Sequence, residues 1–291
     1  MDREISDLYD EYLHTTMGRR VFLQRLTVLA GGTTAAAAAL TMLEGNTAEA
    51  AQVPEDDPTI DAKMITYPGA TGEIKAYEVR PAGAGQLPAV IVIHANRGLW
   101  PHFKDVARKL ALGGYLALAP DMLSPAGGTP ERGESRGPEG DAALEALSKI
   151  PATDVESNLV AAVNFLKSHP ESTGKVGAIG FCWGGGHALS LAVNTAELDA
   201  AVAYYGSQPQ DGFAKMEAPM LLHYAADDPR LVKGIPPFVE QMEAHDKAYE
   251  LYIYPGTRHA FNQDNRPDRY NAEAANLAWG RTLDFFAAHL T

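Results

Sequence analysis

Three observations predict an α/β fold with a mostly parallel central sheet and helices on both faces. Short apolar runs alternate with amphipathic segments from residue 60 onward. One run, Ala89-Val90-Ile91-Val92-Ile93-His94, is apolar almost throughout, as a strand buried on both faces must be. A Gly-flanked turn, Gly180-Phe181-Cys182-Trp183-Gly184, then joins the run Val176-Gly177-Ala178-Ile179 to a helical segment.

The elements follow in order. Ile60 to Tyr67 and Glu73 to Val79 read as an opening antiparallel pair, because Pro68-Gly69-Ala70-Thr71-Gly72 supplies turn residues between them. The central strand follows. Phe103 to Leu112 is amphipathic and stops at Gly113-Gly114, and Tyr115 to Ala119 is the next strand. Pro125 to Gly140, rich in Gly, Pro and charge, is a surface loop before a helix at Asp141 to Lys149. A helix at Val155 to Ser168 precedes the Val176 strand, whose turn opens another helix at Gly184. Strands at Ala200 to Tyr205, Met220 to Ala225 and Glu250 to Tyr254 then alternate with helices near Phe238 to His245 and Ala272 to His289. No linker divides residues 51–291, which form one domain of about 240 residues, within the range of a single core.

Composition narrows the functional classes. The chain has 24 Lys+Arg against 37 Asp+Glu, which leaves no basic stripe for a phosphate backbone and argues against nucleic acid as a partner. A single cysteine rules out an intrachain disulfide, a zinc ribbon and a C-x-x-C redox pair.

Residues 1–50 differ in kind. Paired arginines in Gly18-Arg19-Arg20-Val21-Phe22-Leu23 precede a weakly hydrophobic Ala/Gly/Thr-rich stretch, uncharged from Leu26 to Leu43. Ala48-Glu49-Ala50 then offers small residues for a signal peptidase. This resembles a twin-arginine secretion signal and implies passage through the twin-arginine export machinery, a periplasmic mature protein and no stable membrane span after processing. The alternatives are an uncleaved membrane anchor and a cytoplasmic helical arm, since Asp2, Glu4, Asp7, Asp10 and Glu11 make the region before the arginines acidic.

The chemistry concentrates at predicted carboxyl ends of strands, where open α/β sheets place their sites. Cys182 falls on a strand-to-helix turn, a nucleophile elbow whose central residue adopts strained backbone angles between side-chain-poor neighbours. The helix N-terminus behind it favours a thiolate. Asp227-Asp228 follows the strand ending at Ala225, and His259 follows the strand ending at Tyr254. Nucleophile, acid and histidine in that chain order are the order of the α/β-hydrolase fold. Cys182, Asp228 and His259 are therefore the candidate triad: His259 takes the thiol proton while Asp228 orients the ring. Asp227 reads as a helix cap. His94, His102, His187 and His223 have structural readings, and no pair among them has metal-ligand spacing with acids. Arg97, Arg132, Arg136, Arg258 and Arg266 are candidates for a substrate carboxylate, and Trp100 and Trp183 for pocket lining.

Three segments together resemble the dienelactone hydrolase family: Gly180-Phe181-Cys182-Trp183-Gly184-Gly185, Tyr254-Pro255-Gly256-Thr257-Arg258-His259-Ala260-Phe261-Asn262, and Gly114-Tyr115-Leu116-Ala117-Leu118-Ala119-Pro120-Asp121. The resemblance implies a cofactor-free α/β hydrolase acting on a small-molecule ester or lactone. By the same likeness Cys182, Asp228 and His259 form the triad, with an oxyanion hole from the backbone N–H groups of Asn96 and Trp183. The chain departs from the family at His94-Ala95-Asn96-Arg97-Gly98-Leu99: Ala95 stands where the family often has a glutamate that helps to deprotonate the cysteine. An alternative expectation follows, a hydrolase-fold protein that binds its ligand with weak or no turnover.

Overall fold

The computed structural model describes residues 8, 19–30, 32, 53–133, 135, 137–266 and 268–290. Eight strands form one sheet in the order β1-β2-β4-β3-β5-β6-β7-β8. The first two, β1 (Ile60–Gly69) and β2 (Gly72–Pro81), are the expected antiparallel hairpin, paired from Ile60 opposite Pro81 to Gly69 opposite Gly72. Asn158 ties its turn to the helix layer: the Asn158 side chain accepts from the Thr71 N–H at 3.1 Å and donates to the Thr71 hydroxyl at 2.8 Å.

The remaining strands are β3 (Leu87–Ile93), β4 (Leu116–Pro120), β5 (Ser172–Phe181), β6 (Ala200–Tyr204), β7 (Met220–Ala225) and β8 (Tyr249–Tyr254). From β4 through β3 to β8 every pairing is parallel. The side chains of β4, β6 and β7 are buried throughout, which is why these runs lack period-two alternation. Helices α2 (Pro101–Leu112), α3 (Pro138–Ser148), α4 (Ala152–Lys167), α5 (Trp183–Asn194), α6 (Pro229–Val232), α7 (Ile235–Ala244) and α8 (Ala272–His289) complete the α/β-hydrolase arrangement. Proline at the first turn starts α2 and α3, where its missing N–H costs no hydrogen bond. Asn271 caps α8 by accepting from the Ala274 N–H at 3.0 Å.

The expected helices begin two or three residues early at several places, and the single turn α6 was not foreseen. Arg19 and Arg20 open a further helix, α1 (Arg19–Leu29). The stretch from Thr33 to Leu43 and the Ala48-Glu49-Ala50 site lie outside the described residues. Among the described residues no helix is long and apolar enough to cross a membrane.

Candidate active site

The elbow is built by backbone contact. Cys182 holds φ 55° and ψ −113°, an unfavourable region for a residue with a side chain. Two hydrogen bonds fix it there, from its N–H to the Tyr204 carbonyl at 3.0 Å and from the Gly186 N–H to its own carbonyl at 3.2 Å. A Cβ on Gly180 would lie 2.0 Å from the Gly184 carbonyl oxygen, and one on Gly184 would lie 2.3 Å from that of Ile93. The glycines are thus demanded by close approach of β5, α5 and the end of β3. Trp183 is the first residue of α5, so its N–H has no carbonyl four residues back within the helix.

The acid and the imidazole arrive on neighbouring loops. Asp228 follows β7 and is the capping residue of α6, yet its side chain makes no cap hydrogen bond. Its Oδ2 lies 2.6 Å from His259 Nδ1 instead. The expectation that Asp227 is the cap is therefore corrected: Asp227 uses its N–H to bond the Thr257 carbonyl at 3.0 Å, which sets the β7 loop against the β8 loop. Thr257 is buried, and its hydroxyl donates to the Tyr254 carbonyl at 2.7 Å. Burial pushes the His259 pKa below its ordinary value. The hydrogen bond and charge of Asp228 act against burial, and the charges of Arg230 and Arg269 act with it. At neutral pH the ring is uncharged, with the Nδ1 proton on Asp228 and Nε2 left basic.

Cys182 and His259 line one cavity of about 80 Å³, together with Ala95, Asn96, Arg97, Trp100, His102, Gln263 and Arg266 among others. Of the candidate arginines the structure brings two here. Arg97 also bonds Asp141 at 2.5 Å, and Arg266 bonds Asp268 at 2.9 Å. Arg132 and Arg258 are exposed outside the lining, and Arg136 lies outside the described residues. Trp100 lines the cavity while its indole N–H donates to the Arg97 carbonyl at 2.8 Å. Trp183 packs between His94 and His187, at ring distances of 5.6 Å and 4.2 Å.

The loop after β3 is braced from the loop after β4. The Asp121 carboxylate accepts from the Thr129 N–H at 2.6 Å and from the Thr129 hydroxyl at 2.8 Å. The Thr129 hydroxyl oxygen in turn accepts from the Leu99 N–H at 2.8 Å. Gly98 has φ 103°, and a Cβ on it would meet the Thr129 hydroxyl at 2.3 Å. His94 joins the same loops: its Nδ1 donates to the Ala95 carbonyl at 2.7 Å and its Nε2 accepts from the Met122 N–H at 3.1 Å. His94 is fully buried, and that burial lowers its pKa.

One residue beside the imidazole escaped the sequence. Tyr205, at φ 41°, sets its ring 4.7 Å from His259, and its hydroxyl donates to Asn262. Burial first, then the Cys182 charge, push its pKa well above the ordinary value, so the phenol remains protonated. His102 is buried against Phe103 and Phe181 and also lines the cavity, with Nδ1 3.2 Å from Asp264. Elsewhere Glu78, His169 and Glu171 converge. His169 Nδ1 accepts from the Glu171 N–H at 3.3 Å, and its Nε2 lies 3.4 Å from Glu78 Oε2.

A family model described as the dienelactone hydrolase family matches residues 74–290. A Methylorubrum extorquens protein assigned as a carboxymethylenebutenolidase is 34% identical over 238 residues, covering 77% of this chain and 80% of its own. A Bradyrhizobium protein assigned as a 2-oxo-3-(5-oxofuran-2-ylidene)propanoate lactonase is 37% identical over 237 residues, covering 76% of this chain and 92% of its own. The crystal structure of a Klebsiella pneumoniae protein assigned as a dienelactone hydrolase superposes with a TM-score of 0.70 at 30% identity, covering 79% of this chain and 99% of its own.

Proposed function

Because the chain belongs to the dienelactone hydrolase family and is a carboxylic ester or lactone hydrolase, we propose that it works through a Cys182-His259-Asp228 triad and a thioester acyl-enzyme. The observation that carries this is the 2.6 Å Asp228–His259 pair on a cavity that the elbow cysteine also lines. Cys182 attacks the acyl carbon as His259 takes the thiol proton. The N–H groups of Asn96 and Trp183 receive the oxyanion. His259 then delivers its proton to the departing oxygen, and water cleaves the thioester by the reverse sequence.

The cavity suggests the substrate class. Its small volume favours a compact acyl group, and its described lining carries Arg97 and Arg266 but no carboxylate, which favours an anionic or strongly polar substrate. Thiolate is itself readily expelled from a tetrahedral intermediate, so good leaving groups such as enol or aryl oxygens suit this nucleophile better than amines.

The test is p-nitrophenyl acetate turnover with mass-spectrometric trapping of the acyl-enzyme. Cys182→Ala and His259→Ala should each lower kcat/KM by about 10³-fold or more and abolish the adduct. Undiminished rates in both would end the assignment. Ala95 on the cavity wall favours a second proposal, a protein that holds its ligand with little turnover. That alternative predicts no thioester with any activated ester, and iodoacetamide reactivity no faster than that of free cysteine. Export is likewise proposed, from the paired arginines that open α1. Arg19→Lys with Arg20→Lys should strand the protein in the cytoplasm, and unchanged fractionation would refute it.

A further inference from the structure

Among the described residues, four that are not glycine hold a positive φ: Cys182, Tyr205, Asp246 and Ala260. Asp246 has an ordinary reason. It follows α7, and the N–H groups of Asp246 and Lys247 return to the Glu243 and Met242 carbonyls at 3.1 and 2.9 Å, a common way to end a helix. The other three gather at the candidate site: Cys182 on the elbow, Ala260 directly after His259, and Tyr205 beside the imidazole. A left-handed backbone is costly for a residue with a Cβ and persists only where its surroundings enforce it. Ala260, at φ 73°, sits in the turn from His259 to Asn262. Phe261 anchors the middle of that turn, fully buried against the Tyr204, Tyr205 and Tyr254 rings at 6.2, 5.8 and 5.0 Å, with its carbonyl accepting from the Asn271 N–H at 2.9 Å. Tyr205 touches both ends. Its ring centre lies 4.7 Å from that of His259, and its hydroxyl donates to the Asn262 side chain. Gln263, which lines the cavity, hydrogen-bonds the same hydroxyl. Tyr205 is held in its turn: it is fully buried, and its N–H donates to the His223 carbonyl at 2.7 Å.

We propose that Tyr205 is a positioning residue that clamps the turn from His259 to Asn262, so that the imidazole faces the elbow sulfur before substrate arrives. The proposal rests on the Cys182-His259-Asp228 mechanism above. Asp228 by itself leaves a freedom: its one bond to Nδ1 fixes which nitrogen carries the proton but lets the ring rock about that bond. An aromatic ring packed against the imidazole removes that freedom, and the hydroxyl bond to Asn262 keeps the turn from relaxing at Ala260. No bond to Tyr205 forms or breaks in the reaction. Burial and then the Cys182 charge hold the phenol pKa well above its ordinary value, so the hydroxyl remains a donor throughout the working pH range. Loss of the clamp has two consequences. The imidazole reaches the thiol in fewer molecules, which lowers kcat more than it changes KM, because the ring takes no part in holding the ester. The loosened ring also gains water, which relieves the burial that depresses its pKa, while Asp228, Arg230 and Arg269 keep their charges around it.

The test uses the full-length chain and p-nitrophenyl acetate. Tyr205→Phe keeps the ring against His259 and Phe261 and removes the hydroxyl. It should lower kcat about tenfold or more, change KM by less than about threefold, and raise the apparent pKa of the acid limb of kcat/KM. That direction is the reverse of what loss of Asp228 would produce, since Asp228 raises the His259 pKa. Asn262→Ala breaks the same contact from its half-buried side, should show the same pattern, and serves if the Tyr205 variant does not accumulate. Together the two substitutions should lower kcat by no more than about threefold beyond Tyr205→Phe alone, because a single contact is lost once. Wild-type kcat in both single variants, losses that multiply in the double variant, or an acid limb that stays in place or falls would each overturn the clamp. His259→Ala in the same assay separates the two failures. If it is inactive while Tyr205→Phe is fully active, the clamp fails and the triad stands; if it keeps full activity, the triad is refuted and the clamp with it.

Discussion

Thr129→Val tests whether the loop carrying Asn96 is held from outside. Valine matches threonine in shape and leaves the Thr129 N–H bond to Asp121 intact, while removing the hydroxyl that bridges Leu99 and Asp121. Two losses follow. The Leu99 N–H, in a residue only 4% exposed, is left without its 2.8 Å acceptor. An unpaired buried donor costs about 1–3 kcal/mol. Asp121 also loses a charge-assisted bond at 2.8 Å, worth about 1.5–3 kcal/mol before its other bonds readjust. The two share one hydroxyl and are not additive, so a combined loss of about 2–4 kcal/mol is expected. For a domain of this size that is a fall in Tm of roughly 4–15 °C. Urea denaturation should show a lower midpoint with unchanged slope. Esterase assays should show kcat falling about tenfold with KM little changed, because the Asn96 amide, proposed to receive the oxyanion, would be lost to that developing charge more than to the bound ester. Thr129→Ser, which keeps the bridge, should recover most of both. Stability within 0.5 kcal/mol of wild type in the Val variant, as for an ordinary surface change, would refute the brace.

Asp228→Asn should lower kcat about 10²- to 10⁴-fold by misorienting His259. The acid limb of kcat/KM should lie below pH 6.5 in the wild type, because burial depresses the His259 pKa, and move lower still in the variant, because Asp228 is what raises it; an unmoved limb would contradict the pairing. His223, buried between the Tyr254 and Thr282 hydroxyls at 2.8 and 3.2 Å, has its pKa pushed down to about 3 by burial. Its folded value lies below its unfolded value of about 6.5, so stability is lost as pH falls from 6.5 toward 3, at up to about 1.4 kcal/mol per pH unit. His223→Gln should flatten that dependence between pH 7 and pH 5 by about 2 kcal/mol, measured by urea denaturation, and parallel curves would refute it.

What could be read from the sequence follows its local physics. The strands were legible because parallel strands buried on both faces are continuous apolar runs, and the elbow because β5, α5 and β3 approach closely enough to exclude any side chain at Gly180 and Gly184. Asp228 and His259 were legible because both sit just past strand ends, though which of two adjacent aspartates met the imidazole depended on the turn at Pro229. Contacts made across the chain left no such trace. His102 lies 162 residues from Asp264 in sequence, and nothing in Trp100-Pro101-His102-Phe103 signals a carboxylate partner. Thr129 sits in a Gly- and Pro-rich loop without periodicity, so its bridge to Leu99 was invisible. Asp121 ends the family-like segment that begins at Gly114, and nothing in that segment signals the three hydrogen bonds it receives from Leu123 and Thr129. Five arginines looked alike, and only the path of their loops separates Arg97 and Arg266 from the exposed Arg132 and Arg258.

The alanine at position 95 then changes how the thiol is governed. A carboxylate there would be a base available before substrate arrives. Without it, the ionisation of Cys182 depends on the first turn of α5 and on an imidazole whose pKa is itself held down by burial. A low-pKa imidazole is uncharged at neutral pH and so is free to accept a proton, but it is a weak base that stabilises a standing thiolate poorly. In the proposed mechanism, proton transfer to His259 is completed as negative charge moves from sulfur onto the carbonyl oxygen. Oxidation of cysteine tracks its thiolate character, so in the proposed oxidising destination, where the chain has no second cysteine to rescue the first by disulfide formation, a thiol that gave up its proton only with substrate in place would endure longest.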